Sequence, residues 1–294
     1  MTGRLSKASL LKWRKTRGGS SLGVTHCGKT TFYWGERTYA MGIVNVSPDS
    51  FSGDGLDSVD AAVAQAQRFV TEGVDILDVG GESTRPDSSP ISVDEELRRV
   101  IPVLERLIGK VKVPLSVDTY KFDIARQALD AGAEMINDIW GLKLEPRLAE
   151  LAAERGVPII LMSNQRDKPR RNIVSAVIED LKRSIDLALD SGVPWENIIV
   201  DPGIGFGKTL EQNLELARRL DELKVLGRPI LLGTSRKSMI GSILDLPPEQ
   251  RLEGTAATIA IGIAKGADMV RLQDVREMIR VCRMSDAIIR GRGS

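Results

Sequence analysis

Downstream of residue 38 the chain alternates between two hydrophobic patterns. In one, apolar residues recur every three or four positions, as at Val59, Val63, Ala66 and Val70 and again at Leu97, Ile101, Leu104 and Ile108, the spacing that lines one face of a helix. In the other, a short run is apolar at nearly every position; eight such runs fall at 40–46, 74–79, 113–117, 135–137, 157–162, 198–201, 229–233 and 268–271. Continuous Val, Ile and Leu without alternation is what a parallel strand buried on both faces requires. Seven glycines, Gly73, Gly109, Gly132, Gly156, Gly192, Gly227 and Gly266, separate a helical stretch from the next run, where a helix commonly closes on a left-handed residue. The repetition predicts eight β/α units, which can close into a (β/α)8 TIM barrel or lie as an open doubly wound sheet. Ahead of them, residues 23–38 predict a β-hairpin with Thr30, Phe32 and Tyr33 as strand formers and Gly28 and Gly35 in turns; its expected place is the bottom of a barrel.

Polar residues close the apolar runs. Asn45 ends the first, Asp78 and Glu82 belong with the second, and Asp118 ends the third. Asn137 and Asp138 close the fourth, Ser163 follows the fifth, Asp201 ends the sixth, Arg236 and Lys237 follow the seventh, and Arg271 ends the eighth. A barrel carries its active site at these C-terminal strand ends, so the pattern favours the closed form. A single such residue is commonly a helix cap, but agreement at every strand end exceeds what capping explains. Asp118, Asn137 and Asp201 offer acceptors for adjacent N–H donors and Lys237 a donor for a carbonyl, a set that suits a flat 2-amino-4-oxo heterocycle such as pterin or guanine. Arg85, Arg236 and Arg271, with backbone amides around Thr84 and Ser235, suit a diphosphate. Asn45 beside the phosphates suffices for Mg²⁺, which keeps most of its waters. The stretch DPGIGFGK at 201–208 lacks Walker spacing; its glycines let a loop lie against a planar ligand with Phe206 packed on it.

Composition narrows the partners. With 41 basic and 40 acidic residues the net charge is +1, which gives no electrostatic reason to bind nucleic acid or an anionic membrane. Apolar runs fall short of the roughly 18–20 residues of a membrane span, and the N-terminus lacks the apolar stretch of a secretory signal. Cys27 and Cys282 fit no metal spacing and predict free thiols in a cytoplasmic protein. His26 is the single histidine and falls in the hairpin, which excludes a histidine-based triad or zinc site. Arg4, Lys7, Lys12, Arg14, Lys15 and Arg17 come with no acidic residue before Glu36. Residues 1–20 are therefore expected to be a disordered basic tail, with an organelle-targeting segment as the alternative, and residues 21–294 a single barrel domain.

The blocks MGIVNVSPDSFSGDG (41–55), DVGGESTRP (78–86), SVDT (116–119), NDI (137–139), DPGIGFGK (201–208) and TSRKSMIG (234–241) resemble dihydropteroate synthase over nearly the whole chain after residue 38. The resemblance implies a folate-pathway transferase that joins a 6-hydroxymethyl-7,8-dihydropterin diphosphate to 4-aminobenzoate with release of diphosphate. It implies that Asp118, Asn137, Asp201 and Lys237 grip the pterin, with Met162 and Gly233 beside it, and that Asn45 helps hold Mg²⁺ and diphosphate together with Arg271, Arg85 and Gln273. Phe206 would line the channel of the aminobenzoate, with Phe51, Thr84, Pro86 and Ser238 near it on loops that close over the site; sulfonamides compete there in this family. It further implies a dissociative substitution, in which diphosphate leaves first and Asp118 helps stabilise the pterin methylene cation. A homodimer through the seventh and eighth barrel helices is the expected assembly.

Two departures stand out. Where the family usually has Leu-Met-His-Met, this chain has Leu161, Met162, Ser163 and Asn164; where it usually has Arg-Val-His-Asp-Val, this chain has Arg271, Leu272, Gln273, Asp274 and Val275. They leave a catalytically weak or inactive pterin-binding paralogue as an alternative. A pterin-dependent methyltransferase would share Asp118, Asn137 and Asp201 but have no use for the GESTRP and SRKS blocks. Glutamine donates a hydrogen bond but cannot become cationic, so Gln273→His is expected to ease diphosphate departure by roughly 1–2 kcal/mol. Steady-state turnover and diphosphate affinity check this; if both are unchanged, position 273 has no such role.

Overall fold

Eight parallel strands close on themselves in the computed structural model, which describes residues 22–46, 58–83, 89–166 and 172–291. The basic segment 1–20 lies outside the described residues. A two-stranded antiparallel hairpin, β1 (Val24–Cys27) and β2 (Thr30–Tyr33), precedes the barrel strands β3 (Tyr39–Asn45), β4 (Ile76–Gly80), β5 (Leu115–Asp118), β6 (Met135–Asp138), β7 (Ile159–Met162), β8 (Ile198–Asp201), β9 (Leu231–Leu232) and β10 (Met269–Leu272). Each pairs with its neighbour in chain order and β10 returns to β3. The last gap closes through a single parallel bridge, Val200 to Ile230, where Val200 N donates to Pro229 O at 2.9 Å. The closed sheet thus decides between the two topologies that the apolar runs allowed.

Several strands begin two residues later than the apolar runs that announced them. Pro114, Pro158 and Pro229 stand in the lead-ins to β5, β7 and β9. With no N–H, each joins the sheet only as an acceptor, from Leu77, Ile136 and Val200 respectively.

Helices α1 (Val59–Glu72), α2 (Val93–Leu107), α3 (Phe122–Asp130), α4 (Arg147–Arg155), α5 (Ile173–Asp190), α6 (Leu210–Arg218), α7 (Ser238–Leu244), α8 (Leu252–Ala264) and α9 (Val275–Ile289) follow the strands. The seven junction glycines all have positive φ, as the C-terminal reading required. On α2 the buried stripe differs from the expected one: it runs through Glu96, Val100, Val103, Leu104 and Leu107, while Leu97 and Ile101 are partly buried and Ile108, just past the helix, is 48% exposed. The cause is Glu96, whose carboxylate is drawn inward by Lys121 Nζ at 2.6 Å and Thr119 Oγ1 at 2.8 Å.

The barrel interior is layered. At its N-terminal end Met41, Ile76, Met135, Ile160, Ile199, Leu231 and Met269 pack with Cys27, Phe32, Trp34 and Tyr39 of the hairpin segment. The rings of Phe32, Trp34 and Tyr39 lie within 4.9–5.4 Å of one another, centroid to centroid, spacing at which aromatic pairs attract. The hairpin is therefore the floor that its position in the chain suggested. Buried Arg228 ties it down, donating to Leu22 O at 3.0 Å and to Trp195 O. Cys27 and Cys282 are free and buried. No described helix is long and apolar enough to cross a membrane. With the bottom closed by apolar packing, the polar side chains higher in the interior are confined to the other end.

Candidate active site

That end opens into a cavity whose wall includes Asn137, Met162, Asp201, Phe206, Gly233, Ser235, Lys237 and Arg271. Seven of these are residues that the strand-end pattern or the family resemblance singled out. Register explains the convergence: Asn45 pairs with Gly80, Gly80 with Asp118 and Asp118 with Asn137, so one rung runs along four neighbouring strands. The helices do not consume these side chains as caps. Ser58, Ser92, Asn172 and Thr209 cap α1, α2, α5 and α6, and neither Lys237 nor Asp274 makes a side-chain cap bond.

Beneath the rung lies a buried ionic cluster. Arg271 Nε donates to Asp78 Oδ2 at 2.7 Å and its Nη2 to Asp118 Oδ2 at 2.6 Å, while Asn137 Nδ2 donates to the same Asp78 oxygen at 2.9 Å. Burial pulls the guanidinium pKa down, but the two carboxylates outweigh it and hold Arg271 above its ordinary value. Burial pushes Asp118 up to about 7, with Arg271 pulling the other way and Asp78 adding repulsion. Burial also raises Asp201, against the Gly203 N–H that donates to its Oδ1 at 2.7 Å. Lys237 is lowered to about 8 by burial and by Arg271, Asp201 opposing. Burial thus moves Asp118 up and Lys237 down, toward neutrality from opposite sides.

The glycine-rich loop after β8 forms one side of the cavity. Lys208 reaches back beneath it and donates to Ser163 O at 2.9 Å, Gly203 O at 2.7 Å and Phe206 O at 3.2 Å. Asn213 of α6 accepts from Gly205 N at 2.7 Å and donates to Thr209 O at 2.9 Å. Gly207 has φ +66 and a Cβ there would come within 2.3 Å of Arg166 N, so the close approach of the two loops requires glycine. Strapped this way, Phe206 is nearly buried, with Lys237 Nζ 4.4 Å and the Arg166 guanidinium 4.9 Å from its ring centroid. Gly233 is different: a Cβ there would have Asp201 Oδ2, 3.9 Å away, as its nearest neighbour, so packing does not demand glycine and a methyl group would enter the space beside the carboxylate.

Asp118 and Gln273 stand behind the cavity wall, the first through Arg271 and the second through its N–H to Ser235 Oγ at 3.2 Å. Asn45 is partly exposed at the end of β3, and Ser238 is exposed at the start of α7. Phe51, Thr84, Arg85 and Pro86 lie outside the described residues. Arg236, held at φ +52, turns its Nε and Nη2 onto the Asp274 carboxylate. Asp138 is structural, accepting from Trp140 N at 2.8 Å and Leu142 N at 2.6 Å, and Glu82 pairs with Lys121 at 2.6 Å and Tyr120 at 3.0 Å. Ser163 is fully buried and points away from the cavity, its Oγ donating to Asp180 Oδ2 at 2.8 Å. Sequence reasoning missed Lys208 and Asn213 because their partners are backbone groups. The Lys208 signal was the lysine closing the DPGIGFGK block.

The chain matches the family model described as "Pterin binding enzyme" over residues 41–273. It is 51% identical over 265 residues to the dihydropteroate synthase of Clostridium beijerinckii, covering 90% of this chain and 98% of that one. Among solved structures it resembles the dihydropteroate synthase of Clostridium difficile in the presence of pteroic acid, at 49% identity and TM-score 0.83, covering 87% of this chain and 98% of that one. It also resembles the Xanthomonas albilineans dihydropteroate synthase with 4-aminobenzoic acid, at 40% identity and TM-score 0.85, covering 92% and 98%.

Because Lys208 satisfies three carbonyls at once, Lys208→Met is expected to lower the unfolding free energy by about 2–4 kcal/mol. Freed of its strap, Phe206 should leave the cavity wall, weakening pterin affinity about tenfold. Urea denaturation and fluorescence titration with 6-hydroxymethylpterin check the two effects; unchanged affinity would show that the loop holds its shape without Lys208.

Proposed function

The chain belongs to the dihydropteroate synthases among the pterin-binding enzymes, and from that premise we propose how its residues divide the work. The reaction transfers a pterinylmethyl group: the C–O bond to diphosphate breaks, a C–N bond to 4-aminobenzoate forms, and the arylamine nitrogen loses a proton. Asn137 and Asp201 accept hydrogen bonds from the pterin edge, and Lys237 donates to its carbonyl. The observation that carries this division is the convergence of Asn137, Asp201 and Lys237 on one cavity with Met162, Phe206 and Gly233 as its apolar sides. Ser235 and Arg271 form the side where the diphosphate lies, joined by Gln273 and by Arg85. Phe206, Ser238 and the segments holding Phe51, Thr84 and Pro86 receive the aminobenzoate. As the C–O bond weakens, positive charge grows on the pterin methylene and the Asp118 carboxylate stabilises it.

Asn45 fits a Mg²⁺ site. Its Oδ1 and Asp118 Oδ2 lie 3.7 and 3.5 Å from one point, the position of a Cβ on Gly80, and no cluster of three acidic, histidine or cysteine ligands exists among the described residues. A single amide oxygen with phosphate and water completing the shell is the habit of Mg²⁺ rather than of zinc. When bound, Mg²⁺ supplies positive charge to the departing diphosphate.

The assembly that suits this surface is a homodimer. Ile243 and Leu244 of α7, Ile261 of α8 and Met284 and Ile288 of α9 are 45–71% exposed, and these helices are neighbours in the fold. Exposed apolar side chains on neighbouring helices suit an interaction surface. A single barrel domain across 21–294, working in the cytoplasm without a nucleic-acid partner, completes the reading.

The test is diphosphate release from the dihydropterin diphosphate with Mg²⁺, with and without 4-aminobenzoate. Dihydropteroate formed only when both substrates are present is the expected result, and pterin binding without release would leave a binding paralogue. Across pH, kcat/KM should rise as Asp118 ionises through about 7 and fall as Lys237 loses its proton above about 8. Asp118→Asn should remove the acid limb.

A further inference from the structure

Asp78 sits inside β4, fully buried, in register between Ile43 and Ser116. It does not line the cavity, yet it holds two residues that do. Its Oδ2 accepts from Asn137 Nδ2 at 2.9 Å and from Arg271 Nε at 2.7 Å, while its Oδ1 takes no hydrogen bond among the described residues. A carboxylate paired with a guanidinium can only accept, so the amide of Asn137 must turn its NH₂ toward Asp78. The amide is planar, so Oδ1 is directed away from Asp78, and Asn137 meets the cavity as an acceptor. Arg271 is fixed by the same oxygen at Nε and by Asp118 at Nη2, which sets the plane of its guanidinium.

We propose that Asp78 is a positioning residue that determines which atom of Asn137 faces the cavity and how Arg271 is oriented, and thereby makes the pocket select a ligand edge rich in N–H donors. The inference rests on the reading of this cavity as the pterin site. Asp201 adds a second acceptor to the same wall, so two acceptors act together against any edge that presents oxygen in place of N–H.

Two probes separate orientation from general stability: 6-hydroxymethylpterin and 6-hydroxymethyllumazine, which differ in carrying an amino group or an oxo group at the 2-position. Wild-type protein should bind the pterin more tightly, by about tenfold or more, the worth of one mismatched hydrogen bond. In Asp78→Asn the new amide can donate to Asn137 Oδ1 and turn its NH₂ toward the ligand, so the pterin-to-lumazine ratio should fall by about fivefold or more. The exchanged pair, Asp78→Asn with Asn137→Asp, again leaves an acceptor facing the cavity and should restore the preference. If Asp78→Asn does not fold, Asp78→Ser removes the same carboxylate and must move the ratio in the same direction. Equal loss of affinity for both probes, with the ratio unchanged, would overturn the proposal and leave Asp78 a merely structural group. No preference in the wild-type protein would overturn the pterin reading of the cavity together with it.

Discussion

One guanidinium organises the upper half of this barrel. Arg271 carries its charge into the interior of a closed sheet, where an unpaired ion would cost many kcal/mol, and it is tolerated because Asp78 and Asp118 meet it from β4 and β5. The two carboxylates are in turn tolerable only because Arg271 is there. The Asn137 amide shares the Asp78 oxygen that Arg271 also uses; burial raises Asp118 against the pull of Arg271, and burial, aided by Arg271, lowers Lys237. The closed apolar floor made by the hairpin confines this polarity to the end where substrates enter.

The second constraint is mechanical. Phe206 is presented by a glycine-rich loop that packs Ile204 into the core and is held as well by Lys208 and Asn213 bonding to its backbone carbonyls and amides. This framework also accommodates Ser163. The hydroxyl is turned into a buried network with Asp180 and Gln165, away from the cavity, so the loss of a histidine at this position does not remove a group from the cavity wall. At Gln273 the backbone N–H donates to Ser235 Oγ, a bond that a histidine at this position would make as well. Of the two departures from the family pattern, position 273 is the one that adjoins the cavity wall, through its main chain.

The barrel was legible because double burial leaves a clear mark: runs such as 198–201 are apolar up to their closing polar residue, and the glycine before each of the last seven runs signals a helix end. Strand starts were less legible because Pro114, Pro158 and Pro229 are apolar to the eye yet lack the N–H a strand needs. Most of the cavity wall could be read from strand-end polarity joined to the family resemblance. Roles within the cluster could not, because they depend on contacts between strands distant in sequence: Asp78 looks like any strand-end carboxylate until the Arg271 guanidinium reaches it from β10. The pairing of Arg236 with Asp274 was not legible either, since the two lie 38 positions apart in the chain. Lys208 escaped notice since carbonyl oxygens leave no trace in a sequence.

Pairing of Arg271 with Asp78 and Asp118 is measured most directly by the unfolding free energies of a set of variants. Arg271→Met alone should lose about 3–5 kcal/mol, because it strands two buried carboxylates. Arg271→Met combined with Asp78→Asn and Asp118→Asn removes all three charges and should recover most of that loss. A triple variant no more stable than Arg271→Met alone would contradict the claim that these charges hold one another in place.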